Sequence, residues 1–574
     1  MIASPILVLG EYLYDHHNAL YKELGHPTFR LSKNILFGVY SGGSSHCSWV
    51  GRILNELSLR GHDVTYAASE EHLKFVEQYP RINTISLGPV PYSIDNIHDS
   101  TSTPRQWKRI RDEYRLIIDN YDKTYKDMQS IMTSHAIDAV ICDNLFIECI
   151  DGARDAGIPL ILTTIEIDAQ DVVAPYINKR ELEMLLEDNN IVEYKSFKKR
   201  FYMKFLSPVN IFWKIGSLLV NLNAKRNVPL WQLSSATNKD ALTIVNNLFG
   251  GTERARSMHP LVEMIGPIFN SHYDPLSPDI QEFLDIHQRV VFVALKQHQE
   301  DASRTMTTKS QDLMMERIFL ELLHMQEIGF IDGLIWDIGK SSHHHMLLSD
   351  ASSSFVTRSG SKFNVTGLWQ QHYPHVRLLA QAPQFSILKH PSTITFVSHG
   401  ESISLFESLY AGKRTVIMPF FKNHQSGNAI HFESRRLGSY LRMYQHQRNS
   451  VSIGNKDEFE PLQRVIQDKD GGIQRNVDRY QTLIQIHAKH GIVKGADLVE
   501  EAIFTSDKDG YLQHRHDVAR KLSFLKANNY DLYICLSGMV FSIAWIVRYV
   551  YIKILRTYYI LLLVTGKINK VKLP

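Results

Sequence analysis

The stretch that decides the fold is residues 34–67, NILFGVYSGGSSHCSWVGRILNELSLRGHDVTYA. Its first residues, Asn34 to Tyr40, form a compact apolar run that ends at a glycine-containing turn, which predicts a buried strand. From Ser48 to Arg60 the apolar residues recur at the i, i+3, i+4, i+7 spacing of a helix, and Val64 to Ala67 predicts a second strand. Strand, helix and strand in this order form a βαβ unit, whose strands run parallel with a right-handed crossover.

The same alternation of strands and helices returns along the chain. It predicts strands at Ala139–Cys142, which is followed by Asp143, and at Leu160–Thr164. Ile265 to Ile280 is rich in proline and turn-forming residues, carries no helical period and is the best linker candidate. A second series follows, with strands predicted at Arg289–Ala294, Gly333–Ile338, Thr393–Ser398 and Thr415–Pro419 and helices at Met314–Met325 and Ser402–Ala411.

These signals predict an α/β protein with two doubly wound, Rossmann-like domains that face each other across a cleft. The long polar and aromatic stretch from Tyr176 to Asn227 is predicted to be a helical insertion in the first domain. We place an N-terminal extension or atypical signal at 1–33, the first domain at 34–270, a linker at 271–285 and the second domain at 286–510.

Composition excludes several classes of protein. The 574 residues carry 63 Lys and Arg against 60 Asp and Glu, a net charge of +3, which argues against a dedicated nucleic-acid binder. The four cysteines, Cys47, Cys142, Cys149 and Cys535, form no CxxC pair, so we expect neither a disulfide-built scaffold nor a structural metal. The run 343–345 of three histidines lacks a further ligand at a helical offset and is predicted to be a solvated loop.

The C-terminal region carries a membrane signal. Leu532 to Val547 contains no charged residue, and admitting Arg548 extends the run to Ile552. That makes about 20 residues, enough to cross a hydrocarbon core about 30 Å thick. We therefore predict a connecting helix at 511–530, a transmembrane helix at 531–552 and a basic tail at 553–574. The alternative is a buried helix of a soluble protein.

Charge sets the predicted orientation of that helix. From Arg548 to Pro574 there are six Lys or Arg residues and no Asp or Glu, so the positive-inside rule puts the tail in the cytosol and the bulk of the chain in the lumen. Lys570 and Lys572 resemble the dilysine signal that retains membrane proteins in the endoplasmic reticulum. The N-terminus offers no convincing signal peptide. The prediction is nevertheless a single-pass protein of the endoplasmic reticulum membrane.

A long ordered motif lies in the second domain, where residues 381–441 read QAPQFSILKHPSTITFVSHGESISLFESLYAGKRTVIMPFFKNHQSGNAIHFESRRLGSYL. In order it contains Pro383-Gln384, Leu388 with His390-Pro391, Phe396 to Gly400, Glu407, Ala411-Gly412, Pro419, and Gln425 with Asn428. This order resembles the donor-binding signature of the UDP-glycosyltransferases, GT-B enzymes that include the UDP-glucuronosyltransferases and fungal lipid glucosyltransferases. The segment from Gly42 to Thr65 resembles the first strand, catalytic loop and helix end of the same family.

The resemblance assigns roles to individual residues. His46 follows the first strand, at the edge where α/β proteins bind ligands, and is implied to be the general base; Asp143 is implied to be its carboxylate partner. His399 closes a strand before a helix whose N-terminal N–H groups could help to hold a diphosphate. The residues implied to bind the UDP-sugar are Gln384, His399, Gly400, Ser404, Glu407, His424 and Gln425. No metal and no cofactor beyond the donor substrate is expected.

Four positions depart from the family pattern. Gln381 stands where an aromatic residue normally stacks on uracil, and Lys296, Ile403 and His424 replace a glycine, an asparagine and a sugar-binding aspartate. Gln297 and His298 resemble a variant of fungal members. Two interpretations stay open: an inverting enzyme that moves a hexosyl or hexuronosyl group from a UDP-sugar to a hydroxyl of a lipid or small lipophile, and a membrane-anchored pseudoenzyme that acts by binding.

Overall fold

The computed structural model describes residues 31–40, 44–89, 120–165, 240–253, 255, 257–270, 273–295, 309–338, 354–419, 423–441, 459–516, 522–527 and 529–566. It divides into two units, Met1–Gln513 and His514–Pro574. The predicted insertion at 176–227, the triple histidine and the end of the predicted tail, residues 567–574, lie outside the described residues.

The first sheet of the larger unit has seven parallel strands in the described part of the chain, in the order β3-β2-β1-β4-β5-β6-β7. The winding reverses between β1 and β4, where Gly38 lies opposite Cys142. A crevice at such a reversal, beyond the carboxyl ends of the strands, is where α/β sheets bind ligands. The strands are β1 Asn34–Val39, β2 Asp63–Ala68, β3 Ile82–Ser86, β4 Ala139–Asp143, β5 Leu160–Thr164, β6 Leu242–Val245 and β7 Val262–Met264.

The second sheet follows the same scheme, with six parallel strands within the described ranges in the order β12-β9-β8-β13-β14-β15. Its winding reverses between β8 and β13, and His399 comes directly after β13. Two short strands, β10 and β11, form a separate antiparallel pair. The bounds are β8 Val290–Ala294, β9 Gly333–Asp337, β10 Ser354–Val356, β11 Lys362–Asn364, β12 Val376–Leu379, β13 Thr393–Ser398, β14 Arg414–Ile417 and β15 Gly438–Tyr440.

Helices cover both sheets, because their apolar faces pack against strands that are buried on both sides. Residues 120–134 are also helical. The labelled helices are α1 Ser44–Leu59, α2 Glu70–Leu73, α3 Ile147–Asp155, α4 Pro278–Ile286, α5 Lys309–Glu327, α6 Val365–Trp369, α7 Gln384–Lys389, α8 Ser402–Tyr410, α9 Asn423–Ser434, α10 Glu460–Gln467, α11 Gly472–Ala488, α12 Gly491–Thr505, α13 Phe524–Ala527 and α14 Tyr530–Val564. The predicted α/β class with two doubly wound sheets is confirmed.

The predicted linker differs from the structure at its C-terminal end. The helix α4 begins at Pro278, inside the range 271–285. Ile280, Phe283 and Leu284 are buried against β8 and α7, so this part of the range belongs to the second sheet. The helical period was missed because the proline-rich window ended at Ile280, before the apolar face of α4 is complete.

The predicted end of the second domain, residue 510, also differs from the structure. Helix α12 lies inside the predicted range, yet its buried residues Ala496, Val499 and Ala502 pack in the core of the first sheet, with Ile53 of α1. An amphipathic helix shows in its sequence that it has an apolar face, but not which of two similar sheets that face will contact. The C-terminal segment of the larger unit therefore completes the first domain.

The smaller unit holds α14, whose 35 residues extend beyond the predicted span of 531–552. Among the described residues this is the one helix that is long and apolar enough to cross a membrane. The predicted connecting helix at 511–530 is not continuous: its described residues contain α13 and one short 3-10 turn at Gln513–Arg515.

Candidate active site

Two predicted residues meet at the winding reversal of the first sheet. His46 lies in the first turn of α1, which starts just beyond β1, and Asp143 is the last residue of β4. Because β1 and β4 are adjacent and parallel, both side chains reach the same edge of the sheet. His46 Nδ1 lies 2.9 Å from Asp143 Oδ2. The structure thus brings together the predicted base and its predicted partner.

The surroundings of Asp143 fix its carboxylate. The side chain is 1% exposed, and its Oδ1 accepts a hydrogen bond from the Leu145 amide at 3.0 Å. A carboxylate can only accept, so the contact with Oδ2 favours the imidazole tautomer that carries its proton on Nδ1. In that tautomer the His46 Nε2 is the basic nitrogen, and 15% of the side chain remains exposed to solvent. This arrangement can take a proton from a hydroxyl group.

A disulfide that the sequence did not predict borders this pair. Cys142 and Cys149 are bonded to each other, which encloses Asp143 in a loop of eight residues ending in the first turn of α3. Gly38 of β1 lies directly against it, since a Cβ atom there would come within 2.6 Å of Cys149 Sγ. The bond joins the end of β4 to the first turn of α3, and no CxxC motif in the sequence marks it.

The second group of predicted residues lies at the reversal of the second sheet. His399 is 6% exposed and follows β13, and the next residue, Gly400, has a φ of +101°. A Cβ at Gly400 would lie 2.8 Å from Ile417 Cγ2, so the turn requires glycine for both its conformation and its packing. The turn leads into α8, whose first N–H groups have no side-chain cap from Glu401.

Helix α9 holds this turn in place. Asn428 donates a hydrogen bond to the Gly400 carbonyl at 2.9 Å, and Gln425 donates one to Glu401 Oε1 at 3.1 Å. Gln425 is 1% exposed. In this structure the Gln425 amide therefore stabilises the turn, and its contact with a sugar stays a prediction. His424 lies in the same helix, and its side chain is outside the described residues.

A connected set of polar side chains lies along α8. Glu407 is 4% exposed and stands one turn after Ser404, so both residues share a face. Gln384, the first residue of α7, donates to Glu407 Oε2 at 2.6 Å and to Ser404 Oγ at 3.2 Å. Tyr273 donates to the other oxygen, Glu407 Oε1, at 3.0 Å. The structure thus joins three predicted donor-binding residues and adds a fourth that sequence reasoning missed.

Tyr273 escaped the sequence analysis because it lies in the irregular segment before α4, where no period or motif marks it. Its ring packs over Phe385, with 4.3 Å between the ring centroids. Phe385 also stacks on Phe269 at 5.9 Å, and the Phe269 carbonyl accepts a hydrogen bond from Arg52 of α1 at 3.0 Å. A chain of contacts therefore runs from the helix of His46 to the carboxylate of Glu407.

Two of the departures from the family pattern can be located. Gln381 is exposed in the bend between β12 and α7, and Ile403 is partly buried on α8. Lys296, with Gln297 and His298, lies outside the described residues. Within the described ranges, no group of three or more His, Cys, Asp or Glu residues could hold a metal ion.

Comparison with known proteins finds similarity to the UDP-glycosyltransferases. The model of the family described as UDP-glucoronosyl and UDP-glucosyl transferase matches residues 370–489, which include the whole Gln384, His399 and Glu407 region. The UDP-glycosyltransferase stmC of Aspergillus ustus is 24% identical over 527 residues, which cover 88% of this chain and 94% of that protein. A UDP-glycosyltransferase of Talaromyces amestolkiae is 23% identical over 523 residues. Residues 370–489 thus match the UDP-glycosyltransferase family model, and the chain is similar over most of its length to fungal UDP-glycosyltransferases.

Solved structures agree on the fold of this UDP-glycosyltransferase. CalG4, the calicheamicin glycosyltransferase, is 18% identical and superimposes with a TM-score of 0.51, over 82% of this chain and 98% of that one. The two parallel sheets described above are therefore the two Rossmann-like domains of a GT-B fold. Of the two interpretations of the sequence, the family and the named relatives support the enzyme.

Proposed function

We propose that this UDP-glycosyltransferase moves a hexosyl or hexuronosyl group from a UDP-sugar to a hydroxyl of a lipid or small lipophilic acceptor, with inversion at the anomeric carbon. The observation that carries the proposal is the 2.9 Å contact between His46 Nδ1 and Asp143 Oδ2 at the carboxyl edge of the first sheet. It supplies a general base that is oriented by a buried carboxylate, as proton abstraction from a hydroxyl requires.

The proposed reaction is a single displacement. His46 Nε2 takes the proton of the acceptor hydroxyl while that oxygen attacks the anomeric carbon from the face opposite UDP. The bond from the anomeric carbon to the UDP oxygen breaks, and UDP leaves with the electron pair. Asp143 stabilises the imidazolium that forms. One displacement from the opposite face inverts the configuration of that carbon.

The donor is proposed to bind at the second sheet. His399 and the N–H groups that begin α8 would hold the diphosphate, with Gly400 allowing the close approach and Ser404 assisting. Glu407 and Gln384 would contact the ribose, and His424 and Gln425 the sugar. We propose that the reaction needs no cofactor, because the base and the diphosphate contacts come from the protein; turnover should therefore survive incubation with a chelator such as EDTA.

The acceptor and the cellular site belong to the same proposal. Helix α14 is proposed to anchor the enzyme in the endoplasmic reticulum membrane, where lipophilic acceptors concentrate, with both domains in the lumen and the tail in the cytosol. The Cys142–Cys149 disulfide supports the lumenal side, because disulfides persist in oxidising compartments and are rare in the cytosol.

The test of the chemistry is His46→Ala. Turnover of UDP-sugar with a hydroxylated acceptor should fall about 10²–10⁴-fold, because the general base is lost. The dissociation constant for UDP, measured by calorimetry, should stay unchanged, because His46 does not hold the donor. His135→Ala, at an exposed histidine of the same domain, is the matched control and should keep full activity.

Two results would contradict the proposal. Unchanged turnover in purified His46→Ala protein would remove His46 as the base. A wild-type protein that binds UDP but turns over no UDP-sugar with any hydroxyl acceptor would support the alternative, a pseudoenzyme that acts by binding.

A further inference from the structure

Glu407 is held from two sides by different parts of the chain. Gln384 reaches its Oε2 from α7, which belongs to the second sheet. Tyr273 reaches its Oε1 from the segment that connects the two sheets. A carboxylate has about four lone-pair sites, so these two contacts are compatible with accepting further hydroxyl groups. Their geometric effect is to set the direction in which the carboxylate faces.

The position of Tyr273 is itself well defined. Its ring packs on Phe385, the residue that follows Gln384 in the chain. This one aromatic contact therefore links Tyr273 to the segment that carries Gln384. Burial, followed by the charge of Glu407, raises the pKa of Tyr273 far above its usual value of 10.0. The hydroxyl therefore keeps its proton at neutral pH and acts as the donor in this contact.

We propose that Tyr273 is a positioning residue for the donor substrate: its hydroxyl orients the Glu407 carboxylate so that the carboxylate accepts the ribose hydroxyls of the UDP-sugar. This inference rests on the proposed function, because it takes Glu407 as the ribose contact. It assigns to a residue outside the recognised motif a part in donor affinity, and it makes that affinity depend on the segment between the two domains.

The test uses Tyr273→Phe, which removes the hydroxyl and keeps the ring on Phe385. The dissociation constants of UDP and of 2′,3′-dideoxy-UDP are measured by calorimetry on the full-length protein in detergent. UDP should bind about 3- to 10-fold more weakly to the variant, the size expected for the loss of one ordinary hydrogen bond, because Tyr273 acts on the carboxylate and does not touch UDP itself. Dideoxy-UDP, which has no ribose hydroxyls to place, should bind equally to both proteins.

A matched control and a second background keep the result specific. Tyr480→Phe, on α11, removes a hydroxyl that accepts a hydrogen bond from Arg435 Nη1 at 3.4 Å, and it should leave both constants unchanged. In a Glu407→Ala background, Tyr273→Phe should have no further effect on UDP binding, because the carboxylate through which it acts is gone. In turnover assays Tyr273→Phe should raise KM for the UDP-sugar and leave kcat within about twofold.

The outcomes separate this inference from the proposed function. Wild-type protein that binds no UDP would overturn both. Unchanged UDP binding in Tyr273→Phe would overturn the positioning role alone, because it would show that the hydroxyl has no part in donor affinity. An equal loss of affinity for UDP and for dideoxy-UDP would also overturn it, because it would show that the hydroxyl acts only on the structure of the protein. A loss that persists in the Glu407→Ala background would also overturn it.

Discussion

Asp143 and Glu148 are two buried carboxyl groups in the same loop, and their surroundings differ. Asp143 receives hydrogen-bond donors on both oxygens, from His46 and from the Leu145 amide. Glu148 is 4% exposed, and its Oε1 has no hydrogen-bond partner in the described part of the chain. Burial raises the pKa of Glu148 to about 7. Glu148 therefore contributes to the dependence of stability on pH.

The sign of the Glu148 contribution follows from proton linkage. Between a pKa of 4.5 in the unfolded chain and about 7 in the folded protein, the folded state keeps a proton that the unfolded state has lost. The free energy of unfolding therefore falls as the pH rises through that window. A shift of this size corresponds to about 3 kcal/mol.

We predict that Glu148→Gln is more stable than the wild type at pH 8 by up to about 3 kcal/mol, and that the difference shrinks to about 1 kcal/mol at pH 5. Urea denaturation midpoints at both pH values measure it. Glu77→Gln, at an exposed glutamate of the same domain, is the control and should show no such trend. A difference that is the same at pH 5 and pH 8 would rule out Glu148 as the titrating group.

At the scale of elements, a buried acidic residue of α12 contacts two residues that follow the end of α1. Glu500 is 3% exposed, and it accepts hydrogen bonds from Arg60 Nη1 at 2.7 Å and from His62 Nε2 at 3.1 Å. Asp497 contacts the same guanidinium at 2.7 Å, but its side chain is 59% exposed. Arg60 thus pairs with the buried carboxylate of Glu500 and with two more exposed carboxylates, Asp497 and Glu56.

We predict that Glu500→Ala lowers the free energy of unfolding by about 3 kcal/mol, near the low end for breaking a buried pair, because Arg60 keeps Glu56 and Asp497 as partners. Asp497→Ala should cost less than about 1 kcal/mol, because water already screens that carboxylate. Thermal unfolding of both variants checks the order. Equal losses of unfolding free energy in the two variants would show that burial does not make the Glu500 contact stronger than the Asp497 contact.

The sequence predicted best those strands and helices whose formation depends on residues within the same segment. The strand from Asn34 and the helix that carries Ile53 follow from apolar runs and periods, and the structure places their ends within a few residues of the prediction. The pairing of His46 with Asp143 was implied by the family resemblance. The contact of α12 with the first sheet, the Cys142–Cys149 bond and the Tyr273 contact could not be predicted, because each depends on segments far apart in the chain or on packing that leaves no period.

At the scale of the whole molecule, α14 is longer than a membrane is thick. Its 35 residues extend about 52 Å at 1.5 Å per residue, against a hydrocarbon core of about 30 Å. Arg548, Lys553 and Arg556 all lie in its C-terminal half. We therefore expect the apolar N-terminal half to span the bilayer and the basic half to reach the cytosolic surface.

We predict that protease added to sealed microsomes removes only a small C-terminal fragment, after about residue 548, and leaves the two sheets intact. The positive-inside rule is the reason, since the described end of α14 carries three cations and no acidic residue after Asp531. Blotting against tags at each end measures it, and detergent-opened vesicles are the control. Digestion of the His46 domain in sealed vesicles would show the opposite orientation.

The path of the chain through α12 has a consequence for biosynthesis. Arg60 and Glu500 are separated by 440 positions, and a ribosome that adds 5–20 residues per second needs roughly 20–90 s to make that interval. During that time the face of α1 that includes Ile53 has no α12 to cover it. We therefore expect the nascent first domain to need chaperones, and we expect a chain that ends before residue 491 to aggregate instead of forming a smaller working domain.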